Sequence, residues 1–155
     1  SFDEWHINAC PHHGPTMAFS ELSGNYHMSW FTNGDVNQGI YYARYSFDEE
    51  ESTSLFQVDG QPGAGHPYLV EFDQQLYLVW KGFNGTETLL KIITSSDDGS
   101  SWSSPQTLLR TTEGSDHPLL VKNSESLHLS WHSDEFGYVF MGLNTKSKQL
   151  SNNEN

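Results

Sequence analysis

The chain has 155 residues and a mass of 17.6 kDa, enough for one domain with a real core. Seven Lys plus Arg stand against 20 Asp plus Glu, a formal charge of -13, which argues against nucleic acid or an anionic membrane as partner because phosphate contacts need clustered basic residues. A single cysteine, Cys10, excludes a disulfide within the chain, and no apolar run approaches the ~20 residues that span a bilayer.

Aromatic residues make up 14% of the chain and there are 13 glycines, with no amphipathic helical stretch, so the composition is that of an all-β protein with many turns. The opening SFDEWHINAC has neither the basic region nor the apolar centre of a signal peptide; its residues 2–8 read as a strand without a sheet of its own. From His13 the sequence repeats. Residues 13–30 (HGPTMAFSELSGNYHMSW), 66–80 (HPYLVEFDQQLYLVW) and 117–131 (HPLLVKNSESLHLSW) each run from a His to a Trp. The His-to-His steps of 53 and 51 residues match the length of a propeller blade. The expected repeats are about 9–60, 61–112 and 113–146, within a single segment over 1–150 and ahead of a polar tail, 147–155.

Each repeat reads as four short antiparallel strands. In the middle one these are 67–72, 76–80, 88–94 and 103–109, with turns at Asp73-Gln74-Gln75 and Asn84-Gly85. Period-2 alternation in the second strands sets Tyr26, Met28 and Trp30 equivalent to Leu76, Leu78 and Trp80, and to Leu127, Leu129 and Trp131, one sheet face in every repeat.

Residues 95–102, SSDDGSSW, fit S-x-D-x-G-x-x-W through Ser95, Asp97, Gly99 and Trp102. With this Asp box, and with ACPHHGP (9–15), WFTNG (30–34), GIYYAR (39–44), AGHP (64–67) and SDHPLL (115–120), the chain resembles the sialidase-like, BNR-repeat propellers, in particular the C-terminal half of bacterial exo-sialidase-like proteins. The resemblance implies a β-propeller fold, a structural role for the Asp box, a glycoside-hydrolase-like binding face and a periplasmic or extracellular bacterial setting. Physically, Asp97 can accept turn amides, Gly99 can take a positive φ, and Trp102 can cap the hairpin. A degenerate copy, Ser46-Phe47-Asp48 with Glu50 in place of Gly, sits in the first repeat.

In a propeller the inner strand of each blade begins on the face opposite that turn, so His13, His66 and His117 are expected on one rim, with Lys81, His132, His12 and Asp116 beside them. Three readings compete: imidazoles that cap strands and pack blades, a polar cleft for a glycan or other small ligand, and a divalent metal site, zinc or copper, using His13, His66, His117 and Cys10. The haem signal C-x-x-C-H is absent, and a lone Cys is more often a small buried residue.

Sialidases of the resembled family grip the substrate carboxylate with three arginines. This chain has two, Arg44 in a third strand and Arg110 just after a fourth, and Lys does not replace bidentate Arg without loss, so the chain alone is not expected to turn over sialosides. The candidate carboxylates for other glycosidase chemistry are Asp116, Asp134 and Glu135, against the reading that Asp134 and Glu135 are solvated loop acids. Propellers of this family usually have about six blades, so three repeats imply either a homodimer that closes the ring or the missing half of a longer chain.

Overall fold

The computed structural model describes residues 14–34, 37–46 and 54–143, and among these it is all-β, without a helix. The strands run β1 (Thr16–Phe19), β2 (Tyr26–Asn33), β3 (Gln38–Tyr45), β4 (Ser54–Asp59), β5 (Gly65–Phe72), β6 (Gln75–Phe83), β7 (Thr88–Ser95), β8 (Gln106–Thr111), β9 (Leu119–Lys122), β10 (Leu127–Ser133) and β11 (Gly137–Leu143). They form three antiparallel sheets in chain order: β1 to β4, β5 to β8, and β9 to β11. The third sheet therefore has three strands among the described residues, not the four expected; residues 2–8, 147–155, Phe47, Asp48 and Glu50 lie outside the described residues.

Local chemistry sets the strand ends. The two-residue link between β5 and β6 places Asp73 and Gln74 at φ +50 and +62, the left-handed pair that twisted hairpins prefer. Between β6 and β7, Gly85 takes φ +97, and Asn84 Oδ1 accepts the amides of Thr86 and Glu87 at 3.0 and 2.8 Å. Pro105 has no amide to give a ladder, so β8 starts at Gln106, later than the alternation suggests, and Arg110 falls inside β8 rather than after it.

The repeated triplets do share one face. Leu76, Leu78 and Trp80 pack toward the first sheet with Ile40, Tyr42 and Ile93. Leu127, Leu129 and Trp131 pack toward the middle sheet, against Tyr77, Val79 and Ile92. The middle sheet is thus buried on both sides. Each fully buried aliphatic side chain, such as Leu78 or Leu129 at 0% exposure, contributes ~1.5–3 kcal/mol.

One carboxylate is sealed into the seam between the first two sheets. Asp59 accepts from the Trp80 indole at 2.8 Å, the Lys91 ammonium at 2.9 Å and the Gln61 amide at 3.0 Å. Burial alone would raise its pKa, but the Gln61, Lys91 and Trp80 hydrogen bonds outweigh burial and hold it below the usual carboxylate range. Gly39 makes room for this corner, since a Cβ there would come within 2.1 Å of the Asp59 carbonyl oxygen.

Candidate functional site

Strands β5 and β9 begin at the same end of the molecule, and the hairpin joining β7 to β8 lies at the other. His66 and His117 are therefore on one rim, opposite residues 95–102. Their rings stack, with centroids 3.5 Å apart and planes 24° apart. The backbone at His66 is unusual. Gly65 pairs with Lys81 and Tyr68 with Val79, so β5 carries an extra residue here, and His66 takes φ +55. A non-glycine side chain in that region is held at a cost of ~1–2 kcal/mol, a strain that clusters at ligand sites.

Lys81 reaches from β6 to the segment before β9, where its ammonium donates to the Ser115 carbonyl at 2.7 Å. Burial lowers the Lys81 pKa, and the neighbouring Asp116 partly offsets this. The Asp116 amide donates to the His132 carbonyl at 2.9 Å, while its own carbonyl accepts the Trp131 indole at 3.1 Å. Among the described residues the buried Ser115 hydroxyl has no hydrogen-bond partner. His132 is exposed at the same rim. A cavity of about 340 Å³ opens beside His66 and Lys81, between the first two sheets, with Phe31, Asn33, Gln38 and Gln61 among its walls.

The structure thus brings together His66, His117, Lys81 and Asp116, with His132 at the edge. His13, His12 and Cys10 lie outside the described residues. Among the described residues no three His, Cys, Asp or Glu side chains gather as a metal site. Asp134 and Glu135 belong to the turn between β10 and β11; Glu135 is tied down by the Thr111 hydroxyl at 2.7 Å, and the Asp134 amide bonds the Gly114 carbonyl at 2.9 Å. Neither arginine joins the cluster. Arg44 lies 3.5 Å from Asp98 at the opposite end, and Arg110, mostly exposed, lies 3.5 Å from Glu87.

At that opposite end the turn over residues 95–102 is closed by its own side chains. Asp97 Oδ1 accepts the Ser101 amide and the Ser95 hydroxyl, each at 2.8 Å, and Ser95 Oγ accepts the Gly99 amide at 2.9 Å. The Ser101 hydroxyl and amide, with the Ser95 hydroxyl, hold the Asp97 carboxyl down at about 2. Gly99 takes φ +76, and a Cβ there would lie 1.7 Å from the Tyr42 hydroxyl. Trp102 does not stay with its own hairpin: it meets Tyr42 edge-on at 5.0 Å and packs by Phe56, both on the first sheet.

Sequence reasoning missed a further cross-sheet contact from this turn, made by Asp98. At φ +57 it turns its carboxylate onto the first sheet, accepting the Ser23 hydroxyl at 2.7 Å and the Asn25 side-chain amide, with Arg44 donating to its carbonyl at 3.0 Å. Fully buried His27 lies between Tyr42 Oη, 2.7 Å from its Nδ1, and Asp98 Oδ1, 3.1 Å from its Nε2; the second contact is at ion-pair distance without the alignment of a hydrogen bond. Burial lowers the His27 pKa, and Asp98 offsets only part of that. The only signal in the sequence was the polar His27 between apolar neighbours on a strand.

No family model matches the chain, and no curated protein does. Solved structures do. A Hadza microbial sialidase superposes with a TM-score of 0.57 at 14% identity, over 94% of this chain and 34% of its own. An α-L-arabinofuranosidase from Podospora anserina, in complex with cellotriose, gives 0.50 at 17% identity, over 77% and 42%. The catalytic domain of a GH62 α-L-arabinofuranosidase from Coprinopsis cinerea gives 0.51 at 16%, over 82% and 48%. The chain spans between about a third and a half of the length of these proteins. At such identities the likeness is one of fold alone, the sheets of this chain matching part of a propeller.

Proposed function

We propose that this chain is a sialidase-like propeller segment of three blades that binds a glycan at its histidine-lined end, with residues 95–102 serving as a structural Asp box. His66, His117 and Lys81 form the binding rim, His132 flanks it, and the adjoining cavity receives the sugar. The chemistry of the walls supports a sugar. Amide side chains at Asn33, Gln38 and Gln61 offer both donors and acceptors, as hydroxyl groups require, and Phe31 supplies an apolar face. The cavity falls within the 300–1,000 Å³ range of small-ligand clefts. An extracellular or periplasmic location belongs to the same reading.

The observation that carries the proposal is the positive φ of His66. Glycine would take this conformation without strain, so a histidine there trades stability for its imidazole. A packing role and a ligand role then part company on one substitution. His66→Gly is expected to raise thermal stability by relieving ~1 kcal/mol of strain, while weakening glycan binding at least tenfold. Calorimetric titration with cellotriose, an arabino-oligosaccharide and sialyllactose reads the binding, and a thermal melt reads the stability. Absence of binding to all three by the parent chain, or a less stable His66→Gly that binds as before, overturns the proposal.

A further inference from the structure

In a chain with 20 acidic residues against seven basic ones, each cation should find a carboxylate, and four of the five described ones do. Lys91 lies 2.9 Å from Asp59, Lys122 3.8 Å from Glu71, Arg44 3.5 Å from Asp98 and Arg110 3.5 Å from Glu87. Lys81 is the exception. Among the described residues no carboxylate pairs with it, and its hydrogen bond goes to a neutral acceptor, the Ser115 carbonyl at 2.7 Å.

The difference lies in what losing a proton costs. Deprotonating Lys91 would leave the buried Asp59 carboxylate without its cation, and an uncompensated buried charge is expensive. Deprotonating Lys81 breaks no ion pair, because a carbonyl oxygen accepts an N–H from an amine as it does from an ammonium. Burial already lowers the Lys81 pKa, and Asp116 restores only part of that. Lys81 also lines the cavity of about 340 Å³, together with the side-chain amides of Asn33, Gln38 and Gln61, which suit hydroxyl groups. A half-buried amine free to shed its proton, held at the wall of a cavity of small-molecule size, is the arrangement that makes lysine a nucleophile toward carbonyl carbon.

We propose that Lys81 is a covalent attachment site for a small polyhydroxy aldehyde, the open-chain form of a reducing sugar, which it holds in this cavity as an imine. The Nζ lone pair attacks the carbonyl carbon, and the C=O electron pair moves onto oxygen, which takes the proton lost from nitrogen to give a carbinolamine. Protonation of that hydroxyl lets it leave as water while the nitrogen lone pair forms the C=N bond, and the N–H proton given up afterwards replaces the one borrowed. One amine and one aldehyde become one imine and one water, with nothing oxidised or reduced. The Ser115 carbonyl is placed to accept the single N–H that the protonated imine keeps. Capture of a three-carbon aldehyde needs no glycan affinity, so its failure and the failure of the titration above are separate results.

Incubation of the purified chain with glyceraldehyde and cyanoborohydride at pH 7.5 reduces each imine to a stable secondary amine, and peptide mass spectrometry locates the modified lysines. An ordinary lysine, with a pKa of about 10.4, is almost wholly charged and slow at this pH. Lys81 is expected to be labelled at least about tenfold faster than Lys91, Lys122, Lys146 or Lys148, and to lose that lead in urea, where burial no longer acts on it. With propanal, which has the carbonyl but not the hydroxyls, the lead of Lys81 over the other four should shrink. Labelling of Lys81 no faster than the rest, the result if it stays charged and holds an anion instead, overturns the proposal. So does a lead that persists in urea, or one equally large with propanal.

Discussion

Replacing Asp98 tests whether the first two sheets are held by this side chain or by the neighbouring Asp97, which the sequence pattern singles out. The Asp98 carboxylate accepts from Ser23 and Asn25 and lies 3.1 Å from His27 and 3.5 Å from Arg44, with 27% of the side chain exposed. Hydrogen bonds to a charged group contribute ~1.5–3 kcal/mol each when dry, and partial exposure and the Arg44 contact, which water screens, bring the sum to about 2 kcal/mol. Asp98→Asn keeps the left-handed preference of the residue and removes only the charge, so its loss should be about 2 kcal/mol, or roughly 4–8 °C in Tm for a chain of this length. Asp98→Ala adds backbone strain at φ +57 and should lose about 3 kcal/mol. Urea unfolding at pH 7.5 followed by tryptophan fluorescence measures both. Asp97→Asn is the control, with a smaller loss, because its partners Ser95 and Ser101 lie in its own turn. An Asp98→Asn chain within 0.5 kcal/mol of the parent, or one less affected than Asp97→Asn, would refute the reasoning.

Stability should fall in two acid steps. His27 has a folded pKa below 6.5, so the unfolded chain takes up its proton first; the contribution is complete above about pH 6.5 and is lost as pH falls toward the folded value. His27→Gln should flatten that step while leaving a second loss below about pH 4, where Asp59 and Asp97 give up their depressed pKa values. Gly99→Ala should destabilise by about 3 kcal/mol in urea, combining left-handed strain with the collision at Tyr42. Gln74→Gly, at φ +62 in the β5–β6 link, should stabilise by ~1 kcal/mol in the same assay and leave the rim untouched. A fluorogenic sialoside should remain uncleaved, since Arg44 and Arg110 are both engaged away from His66; release that disappears on substituting a single residue of this chain would contradict that.

The strands and the packing of their faces were legible because period-2 alternation and a His-to-Trp spacing repeat along the chain, and those are local signals. Asn84-Gly85 announced its turn for the same reason. The contacts between sheets were not legible. Asp98 meets Asn25 across 73 positions and Asp59 meets Lys91 across 32, and neither pairing leaves a trace in spacing. Asp97 and Asp98 are adjacent and identical in kind; only the turn geometry decides that one closes the loop and the other crosses to the next sheet. At the rim, equivalence of His66 and His117 was readable from the repeat, but the strained backbone at His66 was not, because Gly65 before it looks the more natural site for a positive φ.

Because the described strands of each sheet follow one another along the chain, neighbouring strands are a single hairpin apart, and assembly order follows from which sheet must wait for which. Among the described residues the middle sheet has a sheet packed on each side, with Leu78 and Val79 sealed on opposite faces of the same strand. It is the natural nucleus. Hairpins form in microseconds, whereas docking a sheet must first overcome the entropy of closing the intervening loop. Substitutions in β6 should therefore slow refolding, while substitutions in β10 or β11 should chiefly hasten unfolding. The third sheet would then be the first to open in the native state, exchanging its amide protons ahead of β6 and β7.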